Sequence, residues 1–174
     1  LKQFNLPKNF RGRSAIVVQL WRVIYVVFFR NSPQFLYGWR RFILRLFGAN
    51  IGKKVIIRPS VEITYPWKVV IGDYSWIGDN VVLYSLGKIT IGSNTVVSQK
   101  SYLCTGSHDF NSVAFDIFEK PIVIGNSCWI ATDVFVAPGV QFVDEVIVGA
   151  RSSVFKSIVT KGIYKGNPVA KKEV

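Results

Sequence analysis

Residues 124–154 read IGNSCWIATDVFVAPGVQFVDEVIVGARSSV, and every sixth position in that run is aliphatic or aromatic: Ile124, Ile130, Val136, Phe142, Val148 and Val154. The position four further on is small or β-branched throughout, at Cys128, Val134, Val140, Val146 and Ser152. An α-helix does not satisfy this pattern, because two positions six apart point about 120° away from each other at about 100° per residue. A coil of three six-residue sides does. Each side sends one apolar residue inward, and successive coils stack at the strand spacing of about 4.8 Å.

The same frame runs upstream to Ile51. Inward positions fall at Ile51, Ile57 and Ile63, then after two extra residues at Ile71, Ile77 and Leu83, and after two more at Ile91, Val97 and Leu103. The four-further slot continues as Val55, Val61, Ser75, Val81, Thr95 and Ser101, with Trp67 and Ile158 as its bulky exceptions. Glycine follows the aliphatic residue at 52, 72, 78, 92, 125 and 149, where the corner has no room for a Cβ. Five coils result, at 51–70, 71–90, 91–108, 124–141 and 142–159. A single coil is too thin to bury anything, so the stack supplies the core only where neighbours cover one another. The expansions at 65–70 and 85–90 lie 20 residues apart and are predicted to bulge from one corner. Residues 109–123 (DFNSVAFDIFEKPIV) leave the coil as a protruding loop.

The chain divides into a helical segment, 1–50, and a β-helix domain, 51–174, that ends in a tail. Ser14 is placed to cap a helix from Ala15 to Arg30, which Asn31, Ser32 and Pro33 end; a second amphipathic stretch runs from Gln34 to Phe47. In the second stretch Phe35, Leu36, Trp39, Phe42, Ile43, Leu46 and Phe47 share a face, and Arg40, Arg41 and Arg45 lie off it. The first helix has 16 residues and carries Gln19 and Arg22, short of the roughly 20 apolar residues of a membrane span. Two readings stand. Either residues 13–47 form a hairpin in the interface of an anionic membrane, arginines toward lipid phosphates, or the apolar face packs on the solenoid end or a neighbouring subunit.

Composition narrows the chemistry. Apolar residues make up 49% of the 174, which argues for a folded chain in spite of a net charge of +12. That charge predicts attraction to polyanions: nucleic acid, acidic lipid or a phosphate-rich ligand. Cys104 and Cys128 have neither zinc-site nor disulfide-scaffold spacing, which points to a reducing compartment, and one histidine leaves little to hold a metal.

The repeat, with Cys104-Thr-Gly-Ser-His-Asp109, Ile124-Gly-Asn-Ser-Cys-Trp-Ile-Ala131, Val136-Ala-Pro-Gly-Val140 and Gly166-Asn-Pro-Val-Ala-Lys171, resembles the hexapeptide-repeat acyltransferases. Gly38-Trp-Arg-Arg41, Ile63-Thr-Tyr-Pro-Trp67 and Gly72-Asp-Tyr-Ser-Trp-Ile-Gly78 resemble most the acetyltransferases of colanic acid and exopolysaccharide clusters, relatives of the maltose, galactoside and nodulation enzymes. Thr160-Lys-Gly162 and Phe155 depart from the family pattern. The resemblance implies a left-handed β-helix and acetyl-CoA as co-substrate, without a metal. It implies a homotrimer with sites between subunits, direct transfer to a sugar hydroxyl of a glycan, and a cytoplasmic location, peripheral to the membrane's inner face if the hairpin docks there.

His108 is the candidate general base, since imidazole is neutral near pH 7 and a sugar hydroxyl needs a base within reach. Asp109 either orients the ring or opens the turn. Backbone N–H groups nearby are the expected oxyanion donors. Cys104, though four residues before His108, sits in a corner slot the family does not use, and Cys128 belongs to the core. The resemblance implies coenzyme contacts at Trp129, packed beside the base, at Ala131, Thr132 and Ala150, where small corners admit a pantetheine arm, and at Lys156, Lys161 and Lys165 for the phosphates. Gly166-Asn-Pro168 would fold the tail back over that groove. Acceptor contacts are expected from Tyr84, Phe110 and Phe115; the two phenylalanines either face a sugar ring or pack on an adjoining subunit. Other classes fit less well. A zinc-dependent carbonic anhydrase on this solenoid needs three histidines, an ice-binding or scaffold solenoid needs Thr ladders or has no use for the histidine loop, and no nucleic-acid module is present.

Overall fold

In the computed structural model, which describes residues 4–172, the chain from Asn50 onward winds into a prism whose three sides are parallel sheets. The first side holds Asn50–Ile51, Val69–Ile71, Ile89–Ile91, Ile122–Ile124 and Gln141–Phe142. The second holds Ile56–Ile57, Trp76–Ile77, Val96–Val97, Trp129–Ile130, Val146–Val148 and Gly162–Lys165. The third holds Glu62–Ile63, Val82–Tyr84, Tyr102–Cys104, Phe135–Val136 and Ser153–Val154. All fifteen inward positions named from the repeat are at most 5% exposed, and the eleven small or β-branched slots beside them are buried as well. Each such aliphatic side chain contributes about 1.5–3 kcal/mol of burial.

The corners turn on residues two beyond the glycines. Lys54, Tyr74, Asn94, Ser127 and Arg151 all adopt left-handed φ between 51° and 58°. The glycines themselves answer to the coil above: a Cβ on Gly72 would lie 2.5 Å from the amide nitrogen of Ser93.

The repeat continues further than the sequence pattern predicts. Ile158 bridges Phe142, and Gly162–Lys165 pairs in parallel with Val146–Val148, beginning a sixth coil. Its inward residue is Tyr164, opposite Val148, with its hydroxyl donating to the Thr160 carbonyl at 2.8 Å. An aromatic residue in the aliphatic slot hides this coil from a search for Ile, Val and Leu. The tail does fold back, as Ala170–Lys171 antiparallel to Gly162–Lys165.

Every excursion from the prism leaves the edge between the third and first sides. At the first expansion Pro66–Lys68 forms a single 3-10 turn, and the Tyr65 amide donates to Ser85 Oγ in the second expansion, directly above. The Gly87 amide in turn donates to Thr105 Oγ1, where the long loop departs. That loop is a hairpin, Gly106–His108 antiparallel to Ile117–Glu119, and the coil resumes at Ile122 against Ile89, two residues before the predicted return.

The base of the prism is closed by two helices, α1 (Ala15–Ile24, continued by the π-helical Tyr25–Arg30) and α2 (Tyr37–Leu46). Ser14 Oγ accepts from the Val17 amide and starts α1. Along the solenoid each coil's N–H groups donate to carbonyls of the coil above, as Gly52 does to Ile71 and Gly72 to Ile91. The carbonyls of the first coil have no coil beneath them. Arg45 donates to Ile51 O on the first side, Arg41 to Val55 O and Arg40 to Ile57 O on the second, and the Trp21 indole to Ile63 O on the third. This corrects the expectation that these arginines face lipid phosphates: an open sheet edge needs donors, and α2 turns its basic face inward to supply them.

Candidate active site

His108 ends the strand Gly106–His108, at the edge where the three excursions stack. Its ring lies flat on Phe115, centroids 4.4 Å apart at 9°, and Phe4 approaches its other surroundings at 6.2 Å. Phe115 adopts a left-handed φ of 52°, which brings its carbonyl oxygen to 2.9 Å from His108 Nδ1. A carbonyl only accepts, so in the neutral ring Nδ1 carries the hydrogen and Nε2 presents a bare lone pair. That is the form a general base requires.

Asp109 does not orient the ring. Its Oδ1 accepts from the Asn111 amide at 2.9 Å, so its carboxylate opens the turn instead, and the orienting contact belongs to the Phe115 backbone. Cys104 donates to the Gly106 carbonyl, and burial pushes its thiol above the ordinary range, opposite to what a nucleophile needs. Cys128 is buried in the core, its thiol pushed up by the same cause.

Tyr84 is half-buried on the outer face of the third side and borders a cleft of about 350 Å³ between that side and α1. Trp21, Arg22, Tyr25, Glu62 and Tyr102 line it as well. The buried Tyr25 hydroxyl has no hydrogen-bond partner among the described residues. Tyr102 is pushed up to about 12, first by burial and then by Cys104. Phe110 is 82% exposed at the hairpin tip, so within one chain it packs on nothing large.

The expected coenzyme residues do not form one cluster within a chain. Trp129 lies on the outer face of the second side, its indole donating to Ser98 Oγ, and Ala131, Thr132, Ala150 and Lys165 follow at the next corner, between the second and third sides. The second side is opposite the His108 edge, so Trp129 cannot pack beside His108 of its own chain. Lys161 lies at the corner between the first and second sides, paired with Glu145 at 3.1 Å, and Lys156 lies after the third side. Within one chain the three lysines therefore stand at three different corners. At the corner after Trp129 the Thr132 hydroxyl is buried without a hydrogen-bond partner among the described residues and is flanked by the small Ala131, a setting that suits a narrow amide-bearing chain.

No family model matches the chain. The colanic acid biosynthesis acetyltransferase WcaF of Escherichia coli K12 is 62% identical over 168 residues, 97% of this chain and 92% of that protein. The chain belongs to the colanic acid biosynthesis acetyltransferases. A hexapeptide-repeat acetyltransferase, VCA0836 of Vibrio cholerae, in complex with acetyl coenzyme A superposes with a TM-score of 0.83 at 23% identity, covering 99% of this chain and 94% of that one. A galactoside acetyltransferase in complex with coenzyme A gives 0.84 at 21%, over 97% and 84%. Both establish the shared fold, the left-handed parallel β-helix.

In this acetyltransferase the cleft residues Tyr25, Glu62 and Tyr102 were not singled out by the sequence, whose frame marks chiefly inward positions. A signal existed for Tyr102. The outward positions of the third side carry Tyr84, Tyr102, Phe135 and Phe155, whose rings touch in sequence at 5.9–6.2 Å. Nothing in the sequence places Tyr25 opposite them, because that meeting depends on where α1 lies.

Proposed function

We propose that this acetyltransferase moves the acetyl group of acetyl-CoA directly to a sugar hydroxyl of a glycan or its precursor, with His108 as general base. The reading is carried by one observation: the Phe115 carbonyl holds Nδ1 and leaves Nε2 free to accept. Nε2 takes the hydroxyl proton as the oxygen attacks the thioester carbonyl. The tetrahedral oxyanion collapses, the C–S bond breaks, and the imidazolium returns the proton to the departing thiolate, so no acyl-enzyme forms. The cleft beside Tyr84 and Tyr102 offers aromatic faces with Arg22 and Glu62 as polar partners, a mixture suited to a sugar.

Acetyl-CoA would lie along the second side at Trp129, Ala131, Thr132 and Ala150, with Lys165 toward its phosphates. Because that side is opposite the His108 edge, a complete site takes the base from one subunit and the coenzyme surface from another. A homotrimer with sites between subunits meets this requirement, and acetyl-CoA as co-substrate favours a cytoplasmic enzyme. Incubation with labelled acetyl-CoA and a panel of glycan and lipid-linked sugar acceptors tests the reading. His108→Ala should lower the rate by about 10² to 10⁴ with the fold intact; retention of wild-type rate would overturn the assignment of the base.

A further inference from the structure

We propose that the helical base of the prism docks on an anionic lipid bilayer, with the groove between α1 and α2 entering the acyl region. The groove is lined by Leu20, Ile24, Phe28, Trp39, Phe42 and Leu46, and no polar side chain borders it. Around it Ile16, Phe35 and Leu46 are 80%, 75% and 70% exposed. A surface of this kind is costly in water and is a sign of a partner.

The reason it faces outward is the solenoid edge. Arg40, Arg41 and Arg45 are held against first-coil carbonyls with Ile43 and Leu44 buried beside them, so α2 presents Trp39, Phe42 and Leu46 away from the protein. Among the described residues nothing covers that face.

Charge selects the occupant. Residues 1–61 hold twelve of the 22 Lys and Arg and none of the ten Asp and Glu, while residues 62–174 hold ten of each sign. The whole net charge of +12 therefore belongs to the helical segment and the first coil. Arg13, Arg22, Arg30, Lys53 and Lys54 are exposed there. A second copy docking through this face would oppose two acid-free bases, which repel. A bilayer with acidic headgroups supplies both an apolar interior and phosphates. Among the described residues no helix is long and apolar enough to cross it, so the contact is interfacial.

Flotation with vesicles tests this, using phosphatidylcholine alone and phosphatidylcholine mixed with phosphatidylglycerol, each at low and high salt. The protein should float with the mixed vesicles at low salt and bind at least roughly tenfold more weakly to phosphatidylcholine or at high salt. The triple variant Phe35→Ser, Phe42→Ser, Leu46→Ser should lose about tenfold in partition while its melting temperature and sedimentation coefficient stay put. Trp39 gives a readout free of any folding defect. Bromine-labelled acyl chains should quench wild-type fluorescence more than that of Trp39→Phe. Failure to float, a triple variant that binds like wild type, equal quenching of the two proteins, or a triple variant that changes oligomeric state would each overturn the proposal. Acetyl transfer to a soluble acceptor, measured in parallel, reports on the enzyme separately.

Discussion

The imidazole of His108 is held by a carbonyl rather than a carboxylate, and the two holders act differently on a base. A carboxylate would favour the imidazolium, whereas a neutral carbonyl fixes the tautomer without adding negative charge. Asp109→Asn should therefore keep kcat within about threefold and leave its pH profile in place, since an amide oxygen can still accept from the Asn111 amide; a large loss or an acid-side shift would return the orienting role to Asp109. The ring itself was legible from its motif as the candidate base. Its holder was not, because Phe115 acts through a backbone oxygen that any residue carries, set by a left-handed φ that phenylalanine does not advertise. Tyr102 makes a second residue-scale prediction. Its ordinary value is 10.0 and the folded protein raises it to about 12, so below pH 10 both states keep the proton and stability is unaffected. Between pH 10 and about 12 only the unfolded chain ionises, and stability falls as pH rises. Tyr102→Phe should flatten that alkaline branch in denaturant titrations taken at successive pH values.

At the scale of elements, all fifteen inward positions named by the period of six are buried, because a narrow prism favours an aliphatic side chain there, while Val69, Ile89 and Ile122 point inward off that frame. The period of 3.6 in α2 was equally clear, yet it left two placements of the helix open. Amphipathicity reports which residues share a face and is silent on which face meets the protein. Here the deciding demand came from first-coil carbonyls, which only a three-dimensional edge reveals. Arg45 meets Ile51 O and Gly52 O, and Arg40 meets Ile57 O. Arg40 is fully buried and donates to Ile57 O, Pro33 O, Gln34 O and Ser32 Oγ, tying the link between the helices to the second side. Burial lowers its pKa, and like charges from Arg58 and Arg41 add to that, yet no acid compensates the cation. Its worth lies in the carbonyls it satisfies. Arg40→Met should cost about 3 kcal/mol in urea unfolding, as orphaned acceptors at about 1–3 kcal/mol each predict, and Arg40→Lys should recover little, because a point ammonium cannot reach both ends of the fork. Arg45→Ala, at an exposed position, should cost about 1 kcal/mol. Equal losses for the two would mean that the edge is satisfied by water.

For the molecule as a whole, the three-sided winding separates residues that one-dimensional reasoning had joined. His108 and Trp129 are only 21 positions apart, but the hairpin returns the chain to the same edge and the first side then carries it across to the second. The family resemblance assigns both to acetyl transfer and is silent on whether they serve the same site. If each site pairs the imidazole of one subunit with the second side of its neighbour, two defective proteins should repair one another. His108→Ala subunits still carry an intact coenzyme face, and Trp129→Ala subunits still carry an intact base. Each variant alone should be nearly inactive. After unfolding and refolding together in equal amounts, random trimers should hold about a quarter of their sites with both wild-type residues, because each site draws its two halves independently from the two pools. Activity should rise to about a quarter of wild type in the mixture, and simple mixing without subunit exchange should give none. A refolded mixture that stays at the level of the single variants would mean that base and coenzyme face meet within one chain, and the opposition of edge and side would then have no part in catalysis.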